Sequence, residues 1–180
     1  MSTAQAELRG PDPQPYSEKM SKLVGDRDPL AVLAQTASIL DEIVRKHSST
    51  VLRTRPFEGK WTPNEVIGHL ADSELVYGYR LRLILCEDNP AIFGTNQDLW
   101  VAGQRHNERE PTDFVEMFRS LRLFNLALWK QMSPEDLKRA GQHNERGPES
   151  LGVILRLLAG HDLSHLDQIT RYIHAARRPE

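Results

Sequence analysis

Apolar residues recur at three- and four-residue steps in four separate stretches of the chain, and each stretch begins with a helix start signal. Asp28-Pro29 reads as an N-cap and first helical residue, after which Leu30, Leu33, Ala37, Leu40 and Val44 trace one face to about His47. Thr62-Pro63-Asn64-Glu65 reads as a capping box, predicting a helix of about 24 residues, roughly 36 Å long. Val66, His69, Ser73, Val76 and Arg80 share one of its faces. Asp113 and Glu116 mark a third start, followed by Phe114, Met117, Phe118, Leu121, Phe124 and Leu128 as far as about Met132, with Asn125 on the apolar face. Ser150 caps the fourth stretch, in which Ile154, Leu158, His161, His165, Ile169 and Tyr172 lie on one face.

The segments between these helices are of different kinds. Residues 1–27 hold Gly10, Pro11, Pro13, Pro15 and Gly25 among polar residues and read as a flexible N-terminal tail. Asp88 to Pro111 contains Asn89, Pro90, Gly94, Asn96 and Gly103 and reads as a long crossover loop with a short turn at Asp98-Leu99-Trp100. Phe93 and Trp100 on that loop are placed to cover a cavity. Ser133-Pro134-Glu135-Asp136 starts a short extra helix closed by Gly141. No segment alternates with period two for long enough to predict a strand. The expectation is an all-α fold in which residues 28–180 form one four-helix bundle. Its two moderate connections and single long crossover suit up-down-down-up topology better than plain up-and-down.

Composition narrows the partners. At 180 residues the chain fits one domain, and a net charge of -2 offers no electrostatic footprint for nucleic acid. Cys86 is the one cysteine, so no intrachain disulfide forms, and the first thirty residues lack the apolar run of a signal peptide. No stretch is apolar enough to span a bilayer. A cytoplasmic protein with no membrane partner is the expectation, with Cys86 read as a small buried hydrophobe.

The chemistry concentrates in the fourth stretch, where His161 and His165 stand one helical turn apart on the apolar face. Such a pair also occurs as hydrogen-bonded core residues, but a metal ion would satisfy both rings at once. HDLSH is similar in spacing to the HExxH signature of zinc peptidases, with Asp162 in place of the general-base glutamate. Aspartate is one methylene shorter, and only fifteen residues follow His165 to supply a further ligand. The third ligand must then come from upstream, where His69 is the one histidine on an inward helical face. Asp72, at i+3 from His69, is placed to accept from an imidazole N–H, and Asp72 and Asp162 are the candidate catalytic carboxylates. His47 ends its helix, and neither His106 nor His174 has an argued role.

The segments WTPNEVIGHLADSELVYGYRLRLIL, GTNQDLW, GQHNERGPESL and GHDLSHLDQI, in that order over most of residues 28–175, resemble the DinB/YfiT-like superfamily. The resemblance implies an antiparallel four-helix bundle of down-up-up-down topology, frequent homodimerisation, and a divalent metal held by three histidines, which fall on His69, His161 and His165. Arg80, Arg82, Asp98, Trp100, His143 and Arg146 lie in the resembling segments and read as surface ion pairs or loop packing.

Three imidazoles with open positions describe a catalytic metal site. The expected function is that of a metal-dependent enzyme acting on a small molecule: a hydrolase, or a transferase using a low-molecular-weight thiol such as bacillithiol or mycothiol. Nickel or zinc is the expected ion, with binding weakening as pH falls through about 6. The alternatives are a metal-stabilised, stress-related or metal-sensing bundle without turnover, and a metal-free helical interaction module.

Overall fold

The computed structural model describes residues 16–176. The described helices are α1 (Tyr16–Val24), α2 (Pro29–Lys46), α3 (Ser49–Arg53), α4 (Pro63–Cys86), α5 (Gln97–Gly103), α6 (Pro111–Trp129) and α7 (Leu151–Ala176). The strands are β1 (Ala91–Ile92), β2 (Ala140–His143) and β3 (Gly147–Ser150). The start signals act as their chemistry predicts. Asp28 accepts from the Leu30 N–H at the head of α2. Both halves of the Thr62–Glu65 capping box form at the head of α4. Proline occupies the first turn of α2, α4 and α6, where the missing N–H costs nothing.

The four long helices α2, α4, α6 and α7 form the bundle. Asp41 meets Arg119 while Leu33 meets Arg122, so α2 and α6 run in opposite directions. Glu74 meets Arg122 and Arg82 meets Asn125, so α4 and α6 run together. Tyr77 faces His161 and His69 faces His165, so α4 and α7 are antiparallel. These directions give up-down-down-up topology, with α2 and α7 joined through Thr36 and Asp162.

Each long helix passes through two apolar clusters. One gathers Leu33, Leu81, Trp129, Ile154 and Leu158, and the other Leu40, Leu70, Phe114, Phe118 and Ile169. Between them every long helix contributes buried polar residues: Thr36, His69 and Glu74, Arg122 and Asn125, His161 and Asp162. The chemistry of the chain lies in this level, which no apolar side chain could complete without stranding polar atoms.

Four sequence expectations need correction. The tail assigned to residues 1–27 includes α1, which packs on α7 with Met20 and Val24 buried; residues 1–15 lie outside the described residues. Arg156 of α7 ties α1 down by donating to the Ser21 hydroxyl at 3.0 Å and the Gly25 carbonyl at 2.9 Å. The fold also contains a small sheet of order β1-β2-β3, in which β1 pairs parallel to β2 and β2 antiparallel to β3. Strands of two to four residues are too short to show alternation, and Ile92 and His143 are brought together only by the tertiary fold. The extra helix expected from Ser133 is reduced to a 3-10 turn at Asp136–Lys138, and Cys86 is exposed rather than buried. Among the described residues no helix is long and apolar enough to cross a membrane.

Candidate metal centre

His69 projects from α4, and His161 and His165 project one turn apart from the facing α7. One ring nitrogen from each lies within 4.8 Å of the other two. The Nε2 atoms of His69 and His161 are 3.1 Å apart, and the His165 ring centroid is 4.8 Å from that of His69 and 4.3 Å from that of His161. The Ser73 hydroxyl stands 3.4 Å from Nε2 of His69, and the Trp61 ring packs 5.0 Å away.

Burial drives the His69 pKa far below the usual histidine range, and the neighbouring His161, His165 and His106 press it further down. Burial and His161 lower that of His165 to about 3, against an opposing hydrogen bond to Gln168. Both rings are therefore neutral near pH 7 and keep a lone pair for donation. The 2.7 Å contact between Nδ1 of His165 and Oε1 of Gln168 requires an N–H on Nδ1, which leaves the lone pair on Nε2. Nδ1 of His161 is buried without a hydrogen-bond partner and faces Oδ1 of Asp162 at 4.0 Å. Three converging imidazoles, their outer nitrogens turned to Gln168 and Asp162 where partners exist, fit a divalent ion.

The cluster forms part of the wall of a cleft of about 1320 Å³, which Tyr16, Met20, Ser73, Tyr77, Arg80, Trp100 and Arg146 also line. Asp72 lines it too, but accepts from Gln104 at 2.8 Å and lies 3.2 Å from Nε2 of His106, so the imidazole beside it is not the expected His69. His106 is buried against α4 at Gly68, where an added Cβ would come within 2.5 Å of its Nδ1. Asp162 is 1% exposed and bonded to Thr36 and Arg122 at 2.7 Å each, facing the interior of the bundle rather than the cleft.

The sequence reading missed the group that holds Asp162. Arg122 is 3% exposed, pairs with Glu74 at 2.7 Å and donates to the Leu33 carbonyl at 2.8 Å. Asn125 donates to Glu74 at 2.8 Å and accepts from Arg82 at 2.7 Å. The signal lay in the spacing Phe118, Arg122, Asn125, Trp129, a helical stripe whose members are all buried.

The remaining loop candidates divide. Arg80, expected at the surface, is buried and stacks over Tyr77. Arg82 stacks on Phe124, and Arg146 pairs with Glu149 through both carboxylate oxygens. His143 is buried and accepts the Glu145 N–H, Trp100 borders the cleft, and Asp98 is exposed on α5.

Fold and cluster together define an up-down-down-up helical bundle with a three-histidine centre at its polar level. The DinB superfamily profile matches residues 33–169, and the chain belongs to that superfamily. It is 32% identical over 113 residues to an Oceanobacillus iheyensis protein named "Putative metal-dependent hydrolase", the match covering 62% of this chain and 64% of that relative. The chain thus spans just under two thirds of that relative's length. A Bacillus mycoides protein with the same designation is 27% identical over 137 residues, covering 76% of each chain. The solved structure of YfiT from Bacillus subtilis, described as "a probable metal-dependent hydrolase with an unusual four-helix bundle topology", superposes with a TM-score of 0.73 at 23% identity. That match covers 92% of this chain and 94% of YfiT, and at this identity the likeness is one of fold.

Proposed function

We propose that this protein is a divalent-metal-dependent hydrolase of a small molecule, with His69, His161 and His165 as the metal ligands. The observation that carries the reading is the meeting of three imidazoles on the wall of a large cleft, with ligand atoms within 4.8 Å and no fourth His, Cys, Asp or Glu in the group among the described residues. Closed structural sites use four protein ligands, whereas three leave room for a reactant. Imidazole donors suit nickel and zinc. A divalent ion held there supplies Lewis acidity, easing deprotonation of a water or thiol and departure of a leaving group. The chain contributes the rest: Gln168 fixes the His165 tautomer, Asp162 faces the outer nitrogen of His161, and the cleft walls hold the substrate. The designations of the relatives support hydrolysis.

The size of the cleft supports a second reading, transfer of a low-molecular-weight thiol onto an electrophile. At about 1320 Å³ it exceeds the usual volume of a pocket for one small ligand and has room for two reactants. A homodimer is part of the same proposal, supported by exposed Leu75 and Tyr79 on α4 and Leu123 and Phe124 on α6. The single unpaired thiol supports a cytoplasmic setting.

Elemental analysis of the untagged full-length chain tests the centre. Nickel or zinc should be present near one equivalent in the native protein and absent from His161→Ala. Full occupancy in that variant overturns the ligand set. Hydrolysis of a panel of esters, amides and halides, assayed with and without small thiols, should disappear on chelation and return with the metal. Activity that survives chelation overturns metal dependence. A large drop in melting temperature on chelation from a protein with no turnover favours the purely structural alternative.

A further inference from the structure

Arg80 lies on α4, about three turns beyond His69 and lining the same cleft. It is 5% exposed; its guanidinium carbon is 5.1 Å from the Tyr77 ring centroid, and one nitrogen donates to the Phe93 carbonyl at 2.6 Å. A guanidinium has five N–H donors and stays charged at any working pH. Among the described residues no carboxylate oxygen lies within 4.0 Å of it. Glu149 acts on Arg80 only at longer range and is itself engaged by Arg146 through contacts of 2.6 and 2.9 Å. Asp72 is bonded to Gln104, while Asp98 and Glu145 are exposed residues of the cleft wall. Burial pulls the Arg80 pKa down from its usual value, and Tyr77 and Glu149 only partly oppose it.

Buried charges are ordinarily paired. Arg80 lines the cleft that contains the three histidines, and its guanidinium has more donors than its bonds to Phe93 and Tyr77 use. We infer that Arg80 receives a carboxylate or phosphate group on the molecule that reacts at the histidine centre, an inference that rests on the metal-enzyme reading above. The distances suit a single small molecule. The Tyr77 ring lies 6.4 Å from that of His161 and 5.1 Å from the Arg80 guanidinium, and these two spans laid end to end are the most that separates ring from guanidinium. A planar fork of donors matches a carboxylate or phosphate through two parallel hydrogen bonds, which fixes the substrate's orientation as well as its affinity.

The test is calorimetric titration of the full-length protein with inorganic phosphate and, separately, acetate. The native chain should bind at least one of them saturably, and the stronger of the two identifies the group. Arg80→Gln should weaken that binding roughly tenfold or more while keeping native metal content and a cooperative melt. Arg80→Lys, which retains charge but not the fork, should fall between them. His161→Ala should bind the anion as the native chain does despite losing its metal, so failure of the metal reading and failure of this one are told apart. Absence of saturable binding by the native chain overturns the inference. So does equal binding by Arg80→Gln, which would mean an adventitious ion only, or loss of binding in His161→Ala alone. If Arg80→Gln does not fold, binding by Arg80→Lys equal to native overturns it and several-fold weaker binding supports it.

Discussion

Nδ1 of His161 and Oδ1 of Asp162 face each other at 4.0 Å, both buried and neither hydrogen-bonded elsewhere. Burial works to raise the Asp162 pKa, but Arg122 outweighs it with help from His161 and holds the carboxyl at about 2. The carboxylate is thus a fixed anion beside the outer face of a ligand ring. An anion there favours the N–H on Nδ1 and frees Nε2 to donate, which makes Asp162 a positioning residue rather than the base its place in HDLSH suggested. Asp162→Asn should weaken nickel or zinc binding by roughly 10- to 100-fold without removing a ligand, as read by competition with a chromogenic chelator. Unchanged affinity would remove Asp162 from the centre.

Arg122 neutralises two buried carboxylates at once, Glu74 at 2.7 Å and Asp162 at 2.7 Å. Burial lowers its pKa, and the two acids more than reverse that effect. Replacing it with methionine leaves both anions in the interior, a change that should cost about 3–5 kcal/mol in chemical denaturation. Adding Glu74→Gln to the Arg122→Met background should cost less than Glu74→Gln alone, because the second change removes a charge already stranded. Simple additivity would show that the pair is not coupled.

Helix α1 depends on one glycine. A Cβ at Gly160 of α7 would fall on the Met20 backbone carbonyl, far inside van der Waals contact and against main-chain atoms that cannot rotate away. Gly160→Ala should therefore release α1 while the four-helix bundle persists. Limited proteolysis should cut within residues 16–24 of the variant and spare the native chain, with a modest fall in melting temperature. Equal protection in both would mean that the close approach at Gly160 does not decide whether α1 docks on α7.

The parts of the fold legible in the sequence were those fixed locally. The Asp28 cap, the Thr62–Glu65 box and the apolar stripes were readable because a helix satisfies its backbone within itself. His69, His161 and His165 were legible for the same reason: periodicity alone turned each ring inward, and their meeting needed only two facing helices. Helix α1 was not, because Pro11, Pro13 and Pro15 dominate its neighbourhood and its stability comes from docking on α7. Arg122 and Arg80 escaped because a charged residue on an apolar stripe reads as exposed until its partner is known. Glu74 and Asp162 for the one, and the cleft for the other, lie on distant parts of the chain.

Acid should weaken the metal-free fold in a definite window. Folding lowers the His165 pKa from 6.5 to about 3, mainly by burial, and that of His69 in the same direction. As pH falls through about 6.5 the unfolded chain gains protons that the folded chain refuses, so stability drops steadily toward pH 3 and is fully present above 6.5. Asp162, at about 2 against a usual 3.8, extends the loss below that window because its charge is held by Arg122 in the folded state alone. The competition between protons and metal expected near pH 6 from an unperturbed ring is accordingly displaced to lower pH in the folded chain. Melting temperatures of chelated protein should fall from pH 7 to pH 4, and His165→Gln should flatten that slope. A slope unchanged by His165→Gln would mean that the ring already takes up its proton in the folded state, contrary to its burial between His161 and Gln168.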